Sequence, residues 1–354
     1  MAGTNGRNII ATINTPSAAG LASALVLAAM SLSAVAQDAA VPVNALNFAR
    51  AESDLYFAST VKRGGFGKFD HNRTPAPIDR QDVVRMNRDT LYSGAVFDLD
   101  AAPVTITLPD AGKRFVSLMI VNEDHYALDT VYAPTTITYT REKAATRYII
   151  AVVRTLVNAK DAGDVKAANL VQDAIKVEQA KTGAFETPNW DPTSQKKARE
   201  ALNTLGSLGG LKDNRFGRSG DVDPISWLIS TAIGWGGNPQ RDAVYGIFFP
   251  KENDGKTAYN LTMKDVPVDG FWSVTVYNAD GYFAKNDLDA YSFNNLTAKP
   301  NADGSYTIQF GGDPKAAASY LPIQAGWNYL VRQYRPRKEI LDGSWKFPEA
   351  QPTR

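Results

Sequence analysis

The chain is 354 residues long, more than one ordinary domain of roughly 100 to 200 residues holds, so at least two folded domains are expected. Lys and Arg total 38 against 37 Asp and Glu, and 44% of residues are apolar, which excludes a polybasic nucleic-acid binder and a disordered chain. With no cysteine, disulfides, thiolate catalysis, iron–sulfur centres and Cys-ligated zinc are excluded, and two histidines leave little room for a multi-His metal site.

Residues 1 to 36 read as a signal peptide. Arg7 is their only charge, and an apolar run from Leu21 to Ala36 is too short to span a bilayer, which takes about 20 apolar residues. Small residues at Ala34-Val35-Ala36 place cleavage before Gln37. Cleavage takes Arg7 from the 38 basic residues and leaves 37 of each sign. The mature chain is therefore expected to be periplasmic or secreted, without stable membrane insertion and without global charge to capture nucleic acid.

A first helix is expected from Asn44 to about Lys62, with Asn44 as cap, Leu46, Ala49, Leu55 and Tyr56 roughly on one face, and Gly64-Gly65 as its stop. Short β-branched and aromatic runs follow: Leu91 to Leu99, Val104 to Leu108, Phe115 to Val121, Thr135 to Tyr139 and Tyr148 to Val153. Many short strands between turn residues are the pattern of a β-sandwich, so residues 37–156 are read as an N-terminal sandwich domain with a leading helix.

Residues 157–238 switch to helical period and read as an insert. Val165, Ala168, Val171, Ile175 and Val177 suggest one helix; Ala198, Ala201, Leu202 and Leu205 a second, capped by Ser194; Asp223-Pro224 opens a third that ends at Gly234. Strands return at Val244 to Phe249, Ala258 to Met263, Phe271 to Tyr277, Ser305 to Phe310 and Asn328 to Tyr334, so 239–354 is read as a second sandwich.

The standard catalytic and nucleotide signatures are missing. Gly217-Arg-Ser219-Gly220 is one residue short of a nucleophile elbow, Gly64-Gly-Phe-Gly-Lys68 lacks the Walker spacing, and Gly234-Trp-Gly-Gly-Asn-Pro239 follows a helix rather than a strand. No nucleotide or thiolate-metal motif is left, and no cofactor is assigned. His71 and His125 each follow an aspartate, Asp70 and Asp124, and with Asp89 they are the candidates for an acid/base site. His71, His125 and Asp124 are also the weak candidates for a metal. The alternative for both histidines is an ordinary hydrogen-bonded place at a strand end.

Asn87-Arg-Asp-Thr-Leu-Tyr-Ser93 is the densest polar stretch, and Asn87, Arg88, Asp89 and Tyr92 can hold a carboxylate or sugar hydroxyls. In Trp327-Asn-Tyr-Leu-Val-Arg-Gln-Tyr-Arg335, alternation puts Arg332 and Tyr334 on one face, as a ligand site or an interdomain seam would; Arg335-Pro-Arg337 suits the seam.

Met86-Asn-Arg-Asp-Thr-Leu-Tyr-Ser93 with Phe97-Asp-Leu-Asp100, and Gly270-Phe-Trp-Ser-Val-Thr-Val-Tyr-Asn278 with Leu321-Pro-Ile and Tyr334-Arg-Pro-Arg337, closely resemble the paired bacterial domain-of-unknown-function families 1254 and 1214. The likeness extends to Thr146-Arg-Tyr148, Leu170 to Val177 and Asp342-Gly-Ser-Trp345. It implies a mainly β fold: an immunoglobulin-like β-sandwich, an α-helical insert and a jelly-roll-like β-sandwich. It carries no established reaction, so no catalytic residue is transferred. The chain departs from the family at Ser319-Tyr-Leu-Pro322, where many members have Asn-Trp-Leu-Pro, and at Gln324, where many have proline.

The expectation is an exported two-domain protein that binds a small polar or carbohydrate-like ligand where the sandwiches and insert meet. The alternatives are a hydrolase or lyase on such a ligand, using His125 or His71 as base, Asp89 as orienter and Arg332 on the developing anion, or a structural protein of the envelope.

Overall fold

The computed structural model describes residues 39–81 and 84–353, so the leader and its cleavage site lie outside the described residues. The first helix runs Phe48–Lys62, a turn later than the Asn44 start. Asn44 instead closes a tight turn, its side chain accepting from the Leu46 amide at 2.9 Å. Leu46 is left 98% exposed, off the helix; the buried face is Phe48, Ala49, Ala51 and Phe57, interspersed with Glu52, Ser53 and Asp54. At the other end the Gly64 and Gly65 amides bond the Val61 and Thr60 carbonyls, which stops the helix.

The fold is mainly β. A five-stranded antiparallel sheet has the order Asp70–His71, Thr90–Asp98, Tyr148–Leu156, Val116–Asn122, Ala127–Tyr132. A three-stranded sheet, Thr135–Tyr139, Val104–Leu108, Lys176–Gln179, covers one face of it. Phe97, Ile106, Leu118, Tyr139 and Ile149, all essentially solvent-free, form the core between them. The Lys176–Gln179 strand corrects the helical reading of Val177. The helix there stops at Asp173, and Lys176 and Glu178 alternate outward with Val177 and Gln179 turned in, a period of two that pairs with Val104–Leu108.

Two four-stranded sheets form the C-terminal half. One has the order Ser292–Asn294, Trp272–Tyr277, Asn328–Tyr334, Ala243–Phe248; the other Tyr320–Leu321, Tyr306–Phe310, Tyr259–Met263, Gln351–Pro352. Leu261, Val274, Ile308, Phe310 and Trp327 fill the space between. Helices Pro192–Ser207 and Pro224–Ile233 each open on an aspartate that accepts backbone amides and a proline in the first turn. The cap of the earlier one is Asp191; Ser194 lies within the helix and bonds the Val43 amide. Leu202 and Ile229 pack with Phe48 and Ala51, fastening the helices to the first one. Among the described residues no helix is long and apolar enough to cross a membrane.

The two halves meet along an aromatic seam. Phe115 contacts Phe271 and Tyr334, Tyr132 donates to Asp242 at 2.8 Å, and the Arg335 guanidinium lies 4.6 Å from the centre of the Tyr132 ring. Gly270 permits this approach: a β-carbon there would sit 2.6 Å from the Tyr334 carbonyl oxygen.

Candidate functional site

Beside the seam lies a cavity of about 1170 Å³. The five-stranded sheet brings Tyr92 and Arg154 to it as in-register partners on adjacent strands; the facing sheet brings Tyr245 and Arg332, likewise in register. In-register partners share a face, so each sheet presents one tyrosine–arginine pair to the cavity. The third tyrosine, Tyr334, stacks on Phe271 with ring centres 4.3 Å apart and meets the Tyr245 ring edge-on.

Asn87 links the two sets. Its Oδ1 accepts from the Asp89 amide at 2.8 Å, which fixes the side chain, and its Nδ2 faces Thr90 Oγ1 and Tyr334 Oη at 3.2 Å and Tyr92 Oη at 3.5 Å. Both phenol oxygens therefore stand around one buried amide nitrogen.

Charge on the cavity wall is lopsided. Among the described residues Arg63, Arg73, Arg80, Arg85, Arg154 and Arg332 line it against one carboxylate, Asp79. Arg63 and Arg73 are paired, with Asp70 and Asp173. Among the described residues the other four have no carboxylate within ion-pair distance. Arg154 is the extreme case: it is 7% exposed, its enclosed Nη1 has no hydrogen-bond partner, Nη2 reaches the Gly236 carbonyl at 3.5 Å, and its one polar side-chain neighbour in bonding range is the Tyr92 phenol rather than a carboxylate. Its guanidinium carbon lies 5.4 Å from the centre of the Tyr92 ring. A buried cation so poorly matched is costly unless a ligand supplies the anion.

Arg332 differs. It donates to Thr275 Oγ1 and Tyr277 Oη at 2.8 Å and to the Arg85 carbonyl at 2.9 Å, so it ties the segment before Asn87 to the C-terminal sheet. This holds Arg85 in the left-handed region at φ +54°, a strained place for a residue with a β-carbon, with its enclosed Nε unpartnered at the cavity.

The environment drives the phenols apart. Burial and the neighbouring Tyr245 and Tyr92 push the Tyr334 hydroxyl well above its usual range. Burial acts on Tyr92 in the same sense, but the positive charge of Arg154, the Asn87 contact and Arg332 outweigh it and draw its hydroxyl below the usual value.

The remaining sequence candidates scatter. His71 lines the cavity from the edge strand; its Nδ1 bonds Ser93 Oγ at 2.7 Å, and burial lowers its basicity. His125 sits in the turn after Val116–Asn122, with Nδ1 on Thr231 Oγ1 and Nε2 accepting the Gly236 amide, both at 2.8 Å. Burial lowers its pKa to about 3, so it is neutral with both nitrogens engaged. Asp124 pairs with Arg50 at 2.5 Å. Among the described residues no three His, Cys, Asp or Glu side chains come together as metal ligands.

Arg88 and Asp89 face a separate cavity of about 200 Å³. The Arg88 guanidinium lies over Tyr291, and the Asp89 carboxylate accepts from Ser292 Oγ and Asn294 Nδ2 at 3.1 and 3.0 Å, with burial raising its pKa. Gln324, one of the departures from the pattern the chain resembles, lines a third cavity of about 90 Å³ with Pro322. Arg154, Tyr245 and Trp235 of the main cavity are residues the sequence reading did not single out. The Tyr148–Leu156 strand carried the signal: Arg154 is the one charge in an otherwise apolar and β-branched run.

No curated protein matches the chain. Among solved structures it is similar to the VPA0106 protein from Vibrio parahaemolyticus, at 19% identity over 88% of this chain and 98% of that one, with a TM-score of 0.67. It is also similar to an uncharacterized protein from Burkholderia cenocepacia, at 13% identity over 87% of each chain, with a TM-score of 0.50. These likenesses concern the fold. Residues 66–136 match the family model of the protein of unknown function DUF1254, and residues 250–338 that of DUF1214. The chain thus carries a DUF1254 segment followed by a DUF1214 segment, and its main cavity draws side chains from both.

Proposed function

We propose that this protein is exported and binds a small organic anion in the cavity beside the seam between its two halves. The observation that carries the reading is the charge of the wall: among the described residues, six guanidiniums against one carboxylate, with Arg154 buried and no carboxylate beside it. The tyrosine hydroxyls and Asn87 add donors suited to sugar or hydroxy-acid oxygens, so the carbohydrate-like class narrows to acidic members. Export rests on the leader-like residues 1–36.

A thermal-shift screen of mono- and polycarboxylates, sugar acids and neutral sugars, at low and high salt, tests it. Carboxylates should raise the melting temperature of the wild type and neutral sugars should not; the shift should shrink with salt and vanish in Arg154→Met. If no anion shifts the wild type, or Arg154→Met responds as the wild type does, the reading fails.

A further inference from the structure

Resting on that anion-binding reading, we infer that the cavity is a lyase site that cleaves uronic-acid oligosaccharides by β-elimination, with Tyr92 as the base and Tyr334 as the acid. A 1→4-linked uronate has the needed atoms in one ring: a carboxylate on C5, a hydrogen on that carbon, and a glycosidic oxygen on C4. It also carries one carboxylate per sugar, which suits a cavity of about 1170 Å³ with arginines spread over its wall better than a single small anion would.

The C5 hydrogen is weakly acidic while the adjacent carboxylate bears its charge. Arg154 can neutralise that charge, and the enediolate that forms on proton removal is more negative at the same oxygens, so a fixed cation there favours the transition state over the ground state. The Tyr92 oxygen takes the C5 proton. The C–H electron pair becomes the C4–C5 double bond, the C4–O bond breaks, and the departing oxygen takes the hydroxyl proton of Tyr334. The products are an unsaturated uronate and a free sugar hydroxyl; Tyr92 ends protonated and Tyr334 ionised, and a proton passing from one to the other resets the site. No water is consumed and nothing is oxidised.

The geometry fits these roles. Both hydroxyls contact the single Nδ2 of Asn87, so base and acid stand within two hydrogen-bond lengths of each other, as a ring that loses a proton and a neighbouring oxygen from one side requires. Tyr92 is the partner of Arg154 in the sheet, which places the base beside the carboxylate's cation. Tyr92, beside the Arg154 charge, is the phenol whose ionised form the site favours, and Tyr334, packed on Phe271 and Tyr245, is the one better placed to keep its proton.

The test incubates the full chain with trimers and tetramers of galacturonate, glucuronate, mannuronate and guluronate, following the ultraviolet absorbance of the conjugated double bond and, in parallel, the melting temperature. Glucuronate or mannuronate oligomers, whose C5 hydrogen and C4 oxygen lie on one face of the ring, should give product. Tyr92→Phe should cut the rate a hundredfold or more while still giving a thermal shift, smaller than that of the wild type because one donor is lost but present because the arginines remain. Tyr334→Phe should cut it similarly for the natural linkage but regain most of it on a uronate bearing 4-nitrophenoxide at C4, a leaving group that needs no proton. If oligomers bind and none is cleaved, or Tyr92→Phe cleaves as fast as the wild type, the lyase inference is overturned and anion binding stands. If none is bound or cleaved, the inference falls alone when other carboxylates still shift the protein, and together with the binding reading when none does.

Discussion

Tyr92 and Arg154 face each other in register on adjacent strands, with the guanidinium carbon 5.4 Å from the centre of the phenol ring. On the facing sheet Tyr245 and Arg332 repeat the pairing, yet Arg332 is bonded to two hydroxyls and a backbone carbonyl while Arg154 has a long contact to the Gly236 carbonyl, the Tyr92 phenol and an unpartnered Nη1. The same pair of residue types thus serves assembly on one wall and, in the proposed reading, binding on the other.

That contrast is measurable by urea unfolding. Arg332→Met strands the Thr275 and Tyr277 hydroxyls and the Arg85 carbonyl and removes the charge facing Asp89, so it should cost about 2–4 kcal/mol. Arg154→Met removes an unmatched buried cation and should leave stability within about 1 kcal/mol of the wild type or raise it. Equal losses in both would refute the division of roles.

His125 sets an acid limit. Its pKa is about 3 in the fold against an ordinary 6.5, so the unfolded chain binds the extra proton between those values. Its contribution is whole above about pH 6.5 and declines by about 1.4 kcal/mol per pH unit as pH falls toward 3. His125→Gln should lower stability at neutral pH yet show a shallower acid decline than the wild type. A parallel decline would rule out His125 as the titrating group.

Asp54 acts in the opposite sense. Burial, only partly offset by the Trp190 hydrogen bond, raises its pKa from 3.8 to about 6, and its enclosed Oδ1 has no partner. The folded chain holds this proton longer than the unfolded one, so the stabilising contribution is present below about pH 4 and is lost as pH rises through 6. Asp54→Asn should therefore stabilise the protein at pH 7 by about 1–3 kcal/mol and steepen its decline on acidification from pH 6 to 4, where Asp54 otherwise offsets His125. Unchanged stability at pH 7 would contradict a raised carboxyl.

The two histidines should separate under the same substitution. His71→Gln leaves a half-buried side chain that can still bond Ser93, and should shift stability by less than about 1 kcal/mol while weakening anion binding. His125→Gln disturbs a buried ring bonded at both nitrogens and should cost about 2–4 kcal/mol, the larger stability loss of the two. Calorimetric melting with and without the bound anion reads both effects.

Strand content was legible where period and composition agree. Val104–Leu108, Thr135–Tyr139 and Asn328–Tyr334 fall on the expected residues, because alternating β-branched and aromatic positions bounded by turn residues admit few other structures. Lys176–Gln179 was masked by the helix before it, whose spacing extends by chance to Val177. Ala127–Tyr132 carries Asp129 and Thr130 and a half-buried pattern too mixed for either period. In the site, Asn87, Tyr92, Arg332 and Tyr334 stood out as polar groups on apolar strands and meet in one cavity. Arg88 and Asp89, their neighbours in sequence, face another, since successive residues leave a turn in different directions. That Arg154 lacks a partner depends on which strands lie across the seam, which pattern alone does not encode.

The most direct measurement is an isothermal titration of the wild type and of Arg154→Met with the carboxylate that gives the largest thermal shift, repeated at rising salt. The account predicts an affinity that falls with ionic strength in the wild type and drops at least tenfold in Arg154→Met. Equal affinity in the two proteins, or an affinity that salt leaves unchanged, would contradict it.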